Sequence, residues 1–149
     1  MIYLDHAATT PLCKESLQAM LPYLQNQYAN PRSSYSMARE ARRAIDQAKI
    51  QIAALVGANP QEIYVTSGGT ESDNWALSGI MRASKAGKRH LIVSSVEHHA
   101  VLETCRSLEK DGFSISYAPV DDNGVVDVDR IKCLITPETA MVSVMLANN

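Results

Sequence analysis

Apolar positions along the chain follow two alternating rhythms. Short runs dense in β-branched and aromatic residues, at 2–4, 63–66, 90–95, 113–118 and 139–146, predict buried strands. Between them apolar residues return every three or four positions, which predicts helices over 12–27, 36–56, 71–86, 100–110 and 125–134. In the second of these the stripe is Met37, Ala41, Ile45, Ala48, Ile52 and Leu55. Its opposite face, with Arg39, Glu40, Arg42 and Arg43, reads as solvated, with a subunit contact as the alternative. Breaks fall where turn chemistry demands them: Pro22 as a kink, Gly57 as a C-cap, Gly87 and Asp111-Gly112 as stops, and Asn123-Gly124 as a turn. Strands alternating with helices at this spacing predict βαβ units, hence an α/β fold with a mostly parallel sheet and flanking helices.

Composition narrows the class. At 149 residues the chain suits one domain with a core. With 46% hydrophobic and 20% charged residues it reads as globular, and a net charge of −2 gives no footprint for nucleic acid or an anionic membrane. Cys13, Cys105 and Cys133 are too widely spaced for a disulfide framework or a zinc site. The first residues do not resemble a secretory signal, so a cytoplasmic location is expected.

Three polar clusters fall at predicted strand ends, where ligands sit in open α/β sheets: residues 67–70, 97–99 and 148–149. In Ser67-Gly68-Gly69-Thr70 the glycines let backbone approach a ligand, and the first N–H groups of the next helix point outward at its positive end. A phosphate fits such a place; a plain tight turn is the alternative. Ser67 and Thr70 would add hydroxyl donors, and Thr70, Ser72 or Asp73 could cap the helix. His98 and His99 are either ligand contacts or ordinary surface and core histidines, and no spacing of ligands beside them suits zinc. Residues 5–11 form a small, polar stretch that reads as a loop leading into the first helix.

Tyr3-Leu-Asp-His-Ala-Ala-Thr-Thr-Pro11, Ala29-Asn-Pro31, Arg39-Glu-Ala-Arg42, the run from Ile63 to Asn74, the run from Val96 to Cys105 and Val142-Ser-Val-Met-Leu-Ala-Asn-Asn149 occur together in order. With these the chain resembles the pyridoxal-phosphate-dependent cysteine desulfurases of the aminotransferase class V group. The resemblance implies a fold of the aspartate-aminotransferase type, here a partial large domain. Residues 1–30 would be the N-terminal segment and helix, and residues 31–149 the first half of the cofactor-binding domain.

The resemblance further implies roles for single residues. Gly69 and Thr70 would contact the cofactor phosphate. His98 would stack on the pyridine ring and relay protons, as an imidazole can. Asn149 would meet the ring oxygen, with His99 and Asn148 as supporting neighbours, and residues 7–9 would lie near the substrate entrance. The implied reaction moves sulfur from L-cysteine to an enzyme persulfide and leaves alanine, for iron–sulfur assembly or thiolation. The implied partners are L-cysteine, a sulfur acceptor or scaffold protein and a second copy of the chain, with no nucleic acid and no membrane.

The chain also departs from the family. None of Lys14, Lys49, Lys85, Lys88, Lys110 or Lys132 lies in the context of the Schiff-base lysine. None of the three cysteines matches the persulfide cysteine, and Cys105 reads as the inward face of a helix, where a thiol is inert. The 149 residues are therefore expected to be inactive alone and to expose apolar surface. Tyr35, Met37, Ala38 and Leu146 replace residues usual in the family. Two other readings stay open: another class V enzyme acting on a different amino acid, and a non-catalytic chain that binds a phosphate ligand or dimerises.

Overall fold

The structure, a computed structural model, describes residues 2–6 and 8–148. It divides into two compact units, Met1–Val65 and Thr66–Asn149, each described here by itself.

The first unit is helical. Helix α1, Lys14–Gln25, carries Pro22 inside it, and the N–H groups of Asn26 and Gln27 both turn back on the Pro22 carbonyl at 2.9 and 2.8 Å. Helix α2, Ser36–Val56, ends where Gly57 enters the left-handed region at φ 68°. The N–H groups of Gly57 and Ala58 then close on the Ala53 carbonyl, which satisfies an orphan acceptor of the last turn. Of the predicted stripe only Ala41 is buried, together with Ala38 and Ala53, while Leu55 is 86% exposed. The period locates an apolar face, but burial needs a covering element, and nothing among the described residues covers Leu55. Arg39 and Arg42, read as a solvated face, each donate to backbone: Arg39 to the Ser34 carbonyl and Arg42 through two nitrogens to the Pro31 carbonyl, at 2.9 and 2.7 Å. They pin the loop before α2. Asn59 then opens a 3-10 turn, Pro60–Glu62, with a reciprocal capping box to Glu62.

Two predicted strands are absent. Among the described residues, 2–4 are exposed and outside any strand, and 63–66 lie in no strand either, with Val65 73% exposed. β-branched residues favour a strand only where a pleated neighbour exists to pack and bond with them.

The second unit is α/β and matches the predicted order. It runs α3 (Gly69–Ala83), β1 (His90–Ser94), α4 (His99–Lys110), β2 (Ser114–Ala118), α5 (Val128–Leu134) and β3 (Thr139–Ser143). The strands form one sheet in the order β2-β1-β3, parallel throughout, with Leu91 opposite Ile115 on one side and Met141 on the other. The central strand β1 is buried along its whole length, as an unbroken apolar run in a parallel sheet should be. Leu91 and Val93 project to one face and pack with Leu77 and Met81 of α3 and Val101, Cys105 and Leu108 of α4. His90 is buried with them in β1 and ties the three strands, its Nδ1 2.8 Å from Thr139 Oγ1 and its Nε2 2.9 Å from Ser116 Oγ.

Two side-chain ties fix the sense of α3 against α4. Thr104 meets Asn74 near their amino ends, and Arg82 meets Asp111 at their carboxyl ends. The helices therefore run parallel. Since α4 leaves the carboxyl end of β1, the amino ends of both helices lie at that end of the sheet.

Candidate functional site

The sharpest polar feature at that end is the start of α3. Gly68 is the N-cap, and the first helical bond runs from the Ser72 N–H to the Gly68 carbonyl at 3.1 Å. The helix thus begins two residues earlier than its apolar periodicity indicated, and Thr70, Ser72 and Asp73 all lie inside it. The N–H groups of Gly69, Thr70 and Glu71 have no carbonyl within the helix to bond. They converge at the positive end of the dipole.

The neighbouring side chains divide the work. Glu71 Oε2 accepts the Ser67 N–H at 2.6 Å and the Ser67 hydroxyl at 2.7 Å. These bonds, the backbone one first, hold the Glu71 carboxyl below its ordinary range. Ser67 is therefore not the free hydroxyl donor expected from its place in the loop. Thr66 hydrogen-bonds to Ser72 Oγ at 2.7 Å. The Thr70 hydroxyl has no partner among the described residues. Neither glycine is demanded by the fold: Gly68 is extended, no positive φ occurs at Gly69, and a Cβ on either would meet nothing within 4 Å. Their bareness keeps the approach to the helix end open.

His98 caps α4, its Nδ1 accepting the Ala100 N–H at 3.1 Å. This bond fixes the neutral tautomer, because an acceptor at Nδ1 leaves the proton on Nε2. The ring is exposed, and it meets His99 only edge-on, with centroids 6.3 Å apart and planes at 63°. The two histidines thus point differently. His98 Nε2 stays available.

Glu97, between them and the strand, is buried. Its Oε1 accepts the hydroxyl of Ser94 at 2.8 Å and the N–H of Met145 at 2.7 Å. One carboxylate oxygen thereby clamps the exits of β1 and β3, and Asn148 adds a bond from Nδ2 to the Val96 carbonyl at 2.7 Å. This clamp and the Asn74–Thr104 tie were missed from sequence. The signals available were a lone carboxylate directly after an apolar strand, and polar residues four positions beyond Thr70 and Ala100 on otherwise apolar helix faces.

Gly69, Thr70, His98 and the Asn148 segment thus occupy one end of the second unit. Asn149, expected at a ring oxygen, lies outside the described residues, as does Ala7 of the expected substrate entrance. The donor set is three backbone N–H groups, one hydroxyl and one imidazole edge, beside two positions without a Cβ. It fits a phosphate-bearing aromatic cofactor such as pyridoxal phosphate. Among the described residues no group of three His, Cys, Asp or Glu side chains is disposed to hold a metal ion, and no helix is long and apolar enough to cross a membrane.

Residues 2–149 match the family model described as aminotransferase class-V. The chain is 47% identical over 148 residues to a protein named cysteine desulfurase IscS from Methanosarcina thermophila, covering 99% of this chain and 37% of that protein. A solved structure titled NIFS-like protein superposes with a TM-score of 0.94 at 37% identity, over 99% of this chain and 40% of that one. Another, titled SspA in complex with cysteine, gives 0.90 at 38% identity, over 98% of this chain and 42% of that one. The chain therefore spans between about a third and two-fifths of the length of the relatives it matches.

Proposed function

The chain belongs to the aminotransferase class V family, and on that premise we propose that it serves a pyridoxal-phosphate-dependent cysteine desulfurase. The observation that carries the reading is that one end of the parallel sheet holds both the open amino end of α3 and the exposed imidazole of His98, which caps α4. Residues 1–30 would be the N-terminal segment and helix and residues 31–149 the first half of the cofactor-binding large domain.

When bound, pyridoxal phosphate supplies an electron sink for charge developing on the amino acid. The chain supplies position and electrostatics. The N–H groups of Gly69 to Glu71 and the Thr70 hydroxyl would hold the phosphate, where charge-assisted bonds and the helix dipole would act together. His98 would lie against the ring. Its Nδ1 is committed to the Ala100 N–H, so proton exchange with the substrate amine falls to Nε2. Asn149 would meet the ring oxygen, and Asn148 donates from Nδ2 to the Val96 carbonyl. The substrate is L-cysteine, whose sulfur passes to an enzyme cysteine as a persulfide while alanine leaves. A sulfur acceptor or scaffold protein takes that sulfur for iron–sulfur assembly or thiolation, and the enzyme works as a cytoplasmic homodimer without nucleic acid or membrane.

The test is a graft. Residues 2–149 replace the matching segment of a curated cysteine desulfurase, and the alanine and sulfide formed from L-cysteine with a dithiol reductant present are measured. Equimolar release, lost in Thr70→Ala and His98→Ala grafts, is the expected outcome. A graft that binds the cofactor and turns over a different amino acid would move the reading to another class V activity.

A further inference from the structure

The two expected cofactor contacts are joined by an unbroken path of hydrogen bonds through residues that touch neither phosphate nor ring. Asn74 Nδ2 donates to the Thr70 carbonyl at 2.7 Å. Asn74 Oδ1 accepts from the Thr104 hydroxyl at 2.6 Å, and the same hydroxyl lies 2.8 Å from the Ala100 carbonyl. Ala100 then gives its N–H to His98 Nδ1. The orientation of the Asn74 amide follows from chemistry: turned over, its oxygen would face the Thr70 carbonyl oxygen and that bond would be lost. Thr104 is buried, so its hydroxyl has these two acceptors and no water to turn to.

We infer that Asn74 and Thr104 are positioning residues that hold the phosphate turn of α3 and the His98 turn of α4 at one fixed spacing, so that a single ligand can engage both. The inference rests on the cofactor reading above. A path built from two helix-internal bonds, one capping bond and one bond between helices is stiff at its ends, because each end belongs to a helical turn or its cap. Its one weak joint is the shared proton of Thr104. The free groups at the two ends, the Thr70 hydroxyl and His98 Nε2, are the ones a ligand would use.

The experiment takes the 149-residue chain and three Thr104 forms: the parent, Thr104→Val, which keeps the shape and removes the hydroxyl, and Thr104→Ser, which restores it. Each is titrated with pyridoxamine 5′-phosphate, whose amine cannot form adventitious imines with surface lysines, and separately with inorganic phosphate. Both titrations are followed by the amide resonances of Gly69 to Glu71 and the ring resonances of His98. Thr104→Val is expected to weaken pyridoxamine phosphate about tenfold and to uncouple the His98 signal from it, leave inorganic phosphate unchanged, and be rescued by Thr104→Ser. If Thr104→Val binds both probes as the parent does, or weakens both equally with a lowered melting temperature, the positioning role is overturned while the cofactor reading stands. If the parent binds inorganic phosphate but not pyridoxamine phosphate, or binds neither, the cofactor reading fails and this inference falls with it.

Discussion

Replacing Gly69 with alanine separates a glycine kept for folding from one kept for a ligand. Gly69 is the first residue of α3, its backbone needs no positive φ, and an added Cβ meets no heavy atom within 4 Å. Alanine lowers the entropy of the unfolded chain and suits a helix better, worth about 0.4–1 kcal/mol in such positions. At a helix start the lower end applies, so stability should rise by about 0.5 kcal/mol. Binding should move the other way. A helical Cβ tilts toward the amino end, into the space before the N–H groups. A phosphate displaced by that methyl loses one charge-assisted bond, about 1.5–3 kcal/mol, which is roughly tenfold to a hundredfold in affinity. Urea unfolding gives the first quantity and titration with pyridoxamine phosphate the second. A loss of more than about 1 kcal/mol of stability, by the same scale, would show the glycine to be structural. Unchanged affinity would show that no ligand approaches there.

The Glu97 clamp should be worth much of the unit's stability. Glu97→Ala strands the fully buried Ser94 hydroxyl and the Met145 N–H, at about 1–3 kcal/mol each before water relieves the latter, so a loss of about 2–4 kcal/mol is expected in urea unfolding. A change under about 0.5 kcal/mol, the scale of an ordinary surface substitution, would contradict the clamp. Among the cysteines, burial first and then the charges of Glu109 and Glu97 push the Cys105 thiol up to about 11, whereas Cys13 is exposed and lowered by its bond with Ser16. Alkylation at pH 8 should therefore label Cys13 and exposed Cys133 quickly and Cys105 only on unfolding; equal rates at all three would refute that packing. The Glu71 carboxyl is lowered in the folded state, so its contribution is present above the ordinary carboxylate range and lost as pH falls through the lowered value. The Ser67 amide resonance should titrate together with the Glu71 carboxyl; a Ser67 shift indifferent to acid would remove the bond.

Where local chemistry and packing agree, the elements were legible in the chain. Helix α2 ends at Gly57 as read, because only the left-handed glycine there closes the last turn, and β1 follows the apolar run because a central parallel strand is covered on both faces. Residues 63–66 carry the same β-branched signal, yet form no strand among the described residues, since a ladder depends on a partner that sequence does not display locally. The start of α3 was read late because Gly68 and Gly69 look like a turn when they are a cap and a first helical residue. The roles expected of Gly69 and Thr70 came from the helix-end argument and from the resemblance of whole motifs, and that of His98 from the resemblance. Glu97 as a clamp was not, because its partner is a backbone N–H 48 residues away, invisible as a side-chain pattern. The same holds for Asn74 and Thr104, 30 residues apart and each unremarkable alone.

The most direct test is a titration of the purified chain with pyridoxal phosphate, followed by absorbance and by the cofactor retained after gel filtration, with Thr70→Ala and His98→Ala alongside. Retention by the parent and its loss in both variants is the expected result, and it would place the phosphate contact on α3 and the ring contact on α4 in one ligand site. A parent that retains none, or variants that retain as much as the parent, would contradict the assignment of these residues to the cofactor.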